Sequence, residues 1–431
     1  MSQRFAHTAL LLAMSMIPVL AAAQPGVVLP NFRPYDQHGV SMFEPPKEEG
    51  DYDSRFKLGV GFTQQFQMLD HENTADPVLN PDGVNLNELK EIGAGFNLAT
   101  ANLNLDAMLA EGIRVNLITY LSSRHHAEAW VKGGYLQIDE MPMLNSETID
   151  NLFDYVTLRV GHMEINYGDG HFRRSDNGNA MYNPFVGNYI MDSFTTEIGG
   201  ELYVQSNGFL GMLGVTDGEI RGRVDLPDER SPSIYGKVGF DRQVNDDLRV
   251  RLTGSALTTS SSASNTLFGG DRGGSRYYEV TENTLSSTSS NFTSGRINPG
   301  FRDEVTTFQI NPFVQYNGIE LFGLFEQASG RAQNETENRT WTQLAVEGIF
   351  RFLDRDQAYV GARYNTVSGE LPGSGMEVSV NRVQVGGGWF IVPSILLKGE
   401  YVMQSYNDYP STSIFNGAEF SGVIFEGVIA F

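Results

Sequence analysis

The sequence predicts an all-β chain, a transmembrane antiparallel up-and-down β-barrel of about 16 strands. Three observations carry that expectation. The last fifteen residues, GAEFSGVIFEGVIAF from Gly417 to Phe431, alternate with period two. Phe431, Ile429, Gly427, Phe425 and Val423 share one face, and Ala430, Val428, Glu426, Ile424 and Gly422 the other. An aromatic at the very end of such a strand suits the interfacial girdle of a membrane barrel, where it also serves as an assembly signal. An ordinary C-terminal edge strand gains little from it. The second observation is the N-terminus, which reads as an export signal. The third is a regular alternation of long polar loops with short turns through the rest of the chain.

The export signal spans residues 1–23. Arg4 gives a positive start, Ala9 to Leu20 is apolar, and Ala21-Ala22-Ala23 forms a small-residue cleavage site before Gln24. The apolar run is short for a membrane anchor. No other stretch approaches ~18 consecutive apolar residues, so no transmembrane helix is expected. With 40% hydrophobic and 11% aromatic residues, the composition is that of a folded chain. The formal charge is −22, and loss of Arg4 with the signal makes it −23. So acidic a balance disfavours nucleic acid as a partner. The absence of cysteine removes disulfides, thiolate metal sites and cysteine nucleophiles together.

Residues 24–54 hold Pro25, Pro30, Pro34, Pro45 and Pro46 and then Glu48, Glu49, Asp51 and Asp53. Without periodicity, they read as an extended periplasmic segment. A segment folded back as a plug is the alternative, although nothing in it looks packed. The barrel is expected over 55–431. Phe56, Leu58, Val60 and Phe62 open it, and a second strand ends near Leu109. Ala110-Glu111-Gly112 turns into Ile113 to Leu121, and Ala127 to Asp139 follows. Met141 to Asp154 is a longer connection with room for one helical turn. Tyr155 to Tyr167 changes the phase of its alternation near Gly161, which suggests a bulge. Gly168 to Ser193 is a long charged loop. Hairpins then turn at Asn207-Gly208, Asn245-Asp246-Asp247, Asn317-Gly318, Asp354-Arg355-Asp356 and Val392-Pro393-Ser394. Between them lies the longest loop, Thr259 to Arg302, rich in Ser, Thr, Gly and Asn. An even strand number places both termini on the periplasmic side.

The terminal Phe and the alternating pattern resemble Gram-negative outer-membrane barrels, and the whole resembles a bacterial porin of the general or phosphate-selective type. Val156 to Gly168, VTLRVGHMEINYG, is similar to the strand that enters the constriction loop of the phosphate-selective group. The resemblance implies a water-filled pore, often trimeric, with the loop after the fifth strand folded inward; here that loop is 168–193. It further implies outer-membrane lipid, lipopolysaccharide and the barrel-assembly machinery as partners, and no cofactor. Anion-selective members carry lysine and arginine arrays, and this chain departs from them by interleaving acids.

With the apolar set of each strand turned to lipid, the opposite set lines the lumen. It contains the cations Lys57, Arg114, Lys132, Arg249, Arg251, Arg363, Arg382 and Lys398, and the acids Glu197, Glu201, Glu347 and Glu400. Such a mixed wall sets up a transverse field for small polar solutes and ions. The bland reading is that these charges pair with one another and only solvate the wall. In the loop, Asp169, His171, Arg173, Arg174 and Asp176 are the constriction candidates. Adjacent arginines present forked donors to a phosphate, carboxylate or sugar, with Asp169 and Asp176 facing them. A solvated surface loop is the bland alternative. Two histidine groups, His125, His126 and Glu128, and His162, Glu164 and His171, have metal-ligand residue types, but no metal is expected at either. The chain lacks G-x-S-x-G, H-E-x-x-H and a P-loop. The expected function is therefore a non-enzymatic diffusion channel. The competing readings are a barrel enzyme acting on lipid and an adhesion barrel displaying 259–302.

Overall fold

The computed structural model describes residues 33–47, 56–97, 99–122, 129–220, 224–225, 227–269, 276–287 and 293–431. The export signal, Arg55, the group His125, His126 and Glu128, and parts of 24–54 and of 259–302 lie outside the described residues. The chain folds as a closed 16-stranded antiparallel barrel. The first eight strands are β1 (Phe56–Glu72), β2 (Thr100–Ala110), β3 (Ile113–Ser122), β4 (Ala129–Ile138), β5 (Val156–Glu164), β6 (Thr196–Ser206), β7 (Phe209–Thr216) and β8 (Ser233–Gln243). The rest are β9 (Leu248–Thr259), β10 (Glu304–Tyr316), β11 (Ile319–Arg331), β12 (Arg339–Phe352), β13 (Ala358–Glu370), β14 (Glu377–Val392), β15 (Ile395–Asn407) and β16 (Glu419–Ala430). Gly95–Phe96 forms a two-residue segment beside Phe66 and Gln67.

Neighbours in sequence are neighbours in the sheet. The ring closes where β1 pairs with both β2 (Val60 opposite Leu103) and β16 (Phe66 opposite Phe425). Closure leaves no strand edge unpaired, which a lipid environment requires. Phe431 completes the seam: its N–H donates to the Val60 carbonyl at 3.0 Å, and its ring is exposed on the lipid side. The turns at Asn207-Gly208 and Asn317-Gly318 have positive φ at both residues (51° and 81°, 46° and 79°), the type I′ geometry that matches strand twist. The connection after β4 contains a 3-10 turn, Pro142–Leu144, and a short helix, Glu147–Phe153.

The phase change near Gly161 is real, but pairing runs through it unbroken, with Gly161 opposite both Tyr135 and Gly199. Instead of a bulge, Gly161 takes φ 146°, where an added Cβ would lie 2.5 Å from the Gly134 carbonyl oxygen. The register shift falls in the neighbouring pair, between Ile118 and Thr119 against β4, where Lys132 is the extra residue. Pro312, which has no N–H for the ladder, sits on the lipid face of β10 beside Gly323, whose missing side chain makes the room.

Alternation sorts the side chains as expected. Phe425, Val346, Leu321 and Val385 are exposed outward, while Glu426, Glu347, Glu320 and Gln384 are buried inward. The lumen is not hollow. The loop between β5 and β6 folds into it, and the described parts of 259–302 close over it, with Leu267, Tyr277 and Ile297 packed against Ile190, Tyr406 and Phe420. The N-terminal segment departs from the sequence reading. Over its described part, 33–47, it does not run extended outside the barrel but enters at the short-turn end. There the Gln37 N–H donates to the Pro393 carbonyl at 3.1 Å. Phe43 is fully buried against Phe313 and Phe322 of the inner wall, with ring centroids 5.2 and 6.3 Å away. The plug alternative describes these residues.

Candidate functional site

The inward loop leaves β5 after Glu164 and is anchored at once. The Asp169 carboxylate accepts from Arg251 Nε and Nη2, both at 2.8 Å, from Thr253 Oγ1 at 2.7 Å and from Lys237 at 3.1 Å. Its N–H donates to Asn311 Oδ1 at 2.8 Å. Gly168 precedes it with φ 68°, and a Cβ there would collide with Gln309 Oε1 at 2.1 Å. Arg173 then crosses the lumen to Glu347, Nε to Oε1 at 2.6 Å, and Arg363 of β13 reaches the other oxygen of that carboxylate at 2.8 Å. Arg174 instead turns back on its own loop. It forms a bidentate pair with Asp192, 2.7 Å on each arm, and stacks on Phe194 at 3.9 Å. Burial would raise the Asp192 carboxyl, but Arg174 and Arg296 outweigh it and hold the group below the usual carboxylate range.

From Ala180 to Asn188 the loop backbone lies along strands β13 to β15, and the wall charges satisfy it. Lys398 donates to the carbonyls of Ala180 and Phe185 at 2.8 and 3.0 Å, Arg363 to Gly187 at 2.9 Å and Arg382 to Asn188 at 2.5 Å. In the opposite sense, Val186 N–H donates to Glu400 at 2.7 Å. Lining residues inferred from alternation thus hold the loop in place. Glu201 accepts from the Tyr203 and Tyr235 hydroxyls and Glu197 from Thr216. Arg249 pairs with Asp241 at 2.7 Å, and Lys57 sits near the Tyr35 ring.

The N-terminal segment adds residues that the sequence did not flag. Glu44 takes Lys237 at 2.9 Å and Arg251 at 2.5 Å, and Ser41 donates to Glu320 at 2.8 Å. Burial alone would raise the Glu44 carboxyl; Arg251 and Lys237 reverse this and hold it well below the usual range. Arg33 donates to the Gly39 and Phe172 carbonyls and stacks on Tyr182 at 3.6 Å.

A cavity of about 190 Å³ lies between the loop, the N-terminal segment and strands β2 to β5. Of the five constriction candidates, His171, Arg174 and Asp176 line it, while Asp169 and Arg173 are locked into the wall. Arg114 and Lys132 line it from the barrel; the other predicted lining residues do not. Lys132 pairs with Asp176, which also accepts from the Tyr120 hydroxyl at 2.6 Å. His171 lies between Glu164, at 2.6 Å, and Asn166, at 2.9 Å. The alternation reading passed over Arg159 and Tyr135, which also face this cavity. The signal was available: Arg159 stands between Leu158 and Val160 on the face opposite them.

No protein-family model matches the chain, and no curated protein sequence matches it. Solved structures do. OmpT folded in vitro, an outer membrane protein of Vibrio cholerae, is similar with a TM-score of 0.51 at 11% identity, covering 87% of this chain and 97% of that one. A trimer form of it gives 0.51, at 11% identity over 88% and 100%. An anion-selective porin from Comamonas acidovorans gives 0.50, at 12% identity over 87% and 99%. At this identity the likeness fixes the fold, which is that of the outer-membrane porin barrels.

Proposed function

We propose that the chain is a passive channel of the Gram-negative outer membrane for small hydrophilic solutes and ions. In this reading 168–193 is its constriction, the short turns and both termini face the periplasm, and no chemical step is catalysed. The observation that carries it is the closed barrel with an apolar outside, an inside lined by acidic and basic side chains, and a loop folded inward beside a cavity. Lys132 and Arg174 face Asp176 and Glu164 there, so a solute passes between opposite charges in water-restricted space, where their field is least screened. The 33–47 segment closes the short-turn side of that passage, so conduction requires it to yield. A lipid-cleaving barrel would hold its serine and histidine toward lipid. The described His162 and His171 bond Thr196, Glu164 and Asn166 on the lumen side. Assembly as a homotrimer belongs to this reading, since the similar OmpT barrel has a trimer form. Purified protein in a planar bilayer should give discrete, ohmic current steps in potassium chloride. A preparation that inserts but never conducts would refute the channel.

A further inference from the structure

Two guanidinium groups, those of Arg159 and Arg33, face the cavity beside the loop. Arg159 donates Nε to Gln137 Oε1 at 2.9 Å and Nη1 to the Tyr203 hydroxyl at 3.2 Å. Arg33 donates Nε and Nη2 to main-chain carbonyls at 3.0 and 2.8 Å. Among the described residues neither forms an ion pair, and Arg159 Nη2 and Arg33 Nη1 have no acceptor. Both guanidiniums are held in place by rings, Arg159 over Tyr203 at 4.9 Å and Arg33 over Tyr182 at 3.6 Å. A fixed fork with an open arm matches a carboxylate in geometry and charge.

The remaining lining selects further. Tyr35, Tyr135, Tyr182 and Phe172 offer aromatic faces to the same space. A cavity of about 150 Å³ admits benzene, and this one is about 190 Å³, room for the ring and one carboxylate more. The acids on its rim have cations of their own: Asp176 and Glu164 share Lys132, and Glu44 has Lys237 and Arg251. The acids therefore do not neutralise the two guanidiniums, and the aromatic lining, which phosphate cannot use, favours an aromatic acid over it.

We infer that this recess binds a small planar aromatic monocarboxylate, its carboxylate on the open arms of Arg159 or Arg33 and its ring among the tyrosines. The inference deepens the channel reading by naming the solute class that pauses in the passage, and it rests on that passage being the solute path.

The test is calorimetric titration of the full-length protein in detergent with benzoate, benzyl alcohol and inorganic phosphate at fixed salt. Benzoate should bind saturably, and benzyl alcohol and phosphate at least tenfold more weakly. Arg159→Gln and Arg33→Gln should each weaken benzoate at least tenfold while heat-modifiable gel mobility stays that of the parent, and Arg159→Lys should recover only part. Equal benzoate affinity in both glutamine variants, or phosphate binding tighter than benzoate in the parent, would overturn the proposal. The parent comparison needs no variant to fold. Bilayer current separates this failure from that of the channel. Conductance without benzoate binding removes the recess and leaves the channel; arginine-dependent benzoate binding without conductance removes the channel and leaves the recess.

Discussion

The inner wall has two arcs that look alike in sequence and behave differently in the fold. Along β11 to β16, most inward charges pair with one another, and Arg382, which forms no ion pair among the described residues, donates to the carbonyls of Asn188 and Gly295. Glu320 holds Arg351, Glu347 holds Arg173 and Arg363, and Glu426 holds Lys398 and Arg276. Along β2 to β5, Arg114 shares Asp106 at 3.5 Å, Lys132 reaches across to the loop, and Arg159 forms no ion pair among the described residues, although Glu201 stands opposite it on β6. The difference lies in the loop backbone. Its carbonyls from Ala180 to Asn188 lie against the first arc and use up the donors there. The second arc takes the loop backbone only near Asp176 and Gly178, through Asn102 at 3.0 and 3.1 Å, and keeps open space beyond it. On the proposed channel reading, what counts is therefore not lumen charge itself but the charge that the loop leaves accessible.

The comparison can be broken most directly by freeing the N-terminal segment that both arcs grip. Phe43→Ala with Glu44→Ala removes a fully buried ring and the acid between Lys237 and Arg251. Loss of the ring alone costs about 3–5 kcal/mol, more than a segment of this length can spare. Bilayer conductance should rise several-fold, and protease should cut within 33–47. Unchanged conductance would mean that the segment does not limit the passage. On the filled arc, Glu347→Ala strands Arg173 and Arg363, and breaking a buried pair this way costs about 3–5 kcal/mol. Because the barrel ladder is untouched, the cost should appear as loosening of 168–193. Protease sensitivity of the loop and noisier current would report it, while heat-modifiable mobility stays that of a folded barrel.

A smaller effect is expected from Arg173→Ala with Arg174→Ala. Both side chains are buried in ion pairs, so their removal leaves Glu347 and Asp192 with Arg363 and Arg296 still beside them. The net change is two fewer positive charges near the passage. At about 1 kcal/mol per contact in water, the permeability ratio should move toward cations by no more than about fivefold. Reversal potential under a salt gradient measures it, and a shift toward anions would contradict the placement of the loop.

Much of this was legible beforehand. Period two with one apolar face fixes strand and side together, so Glu347 and Arg363 could be placed in the lumen from their neighbours alone. Asn-Gly pairs announce the tight hairpins, and the resemblance to porins, not the residues themselves, implies that the loop after the fifth strand turns inward. The rest depends on information that alternation does not carry. Arg173 and Arg174 are adjacent and chemically identical, yet one crosses to the wall and the other closes on its own loop. Backbone direction, held by Gly168 and Asp169, decides which. The N-terminal segment has no period to read. Its proline content suits extension in solvent and extension inside a barrel equally, and only Phe43 and Glu44, apolar and acidic side by side, mark it as something that docks.

The smallest expected effect is that of mild acid, and it separates a seated plug from a titrating gate. Glu44 and Asp192 both have carboxyls held below their ordinary range. A group depressed in the folded state contributes its full stabilisation above the unfolded value, about 4 for these side chains, and loses it only as the pH falls through the lower, folded value. Between pH 7 and pH 5 both groups stay ionised whether the segment and loop are seated or released, so no proton is taken up on release and seating gains no pH dependence from them. Conductance measured at fixed salt should therefore be flat across that window. It should begin to change only below about pH 4, where the released carboxylates would protonate first and docking would weaken. A step between pH 6 and pH 7 would contradict this reading, because neither Glu44 nor Asp192 changes charge there.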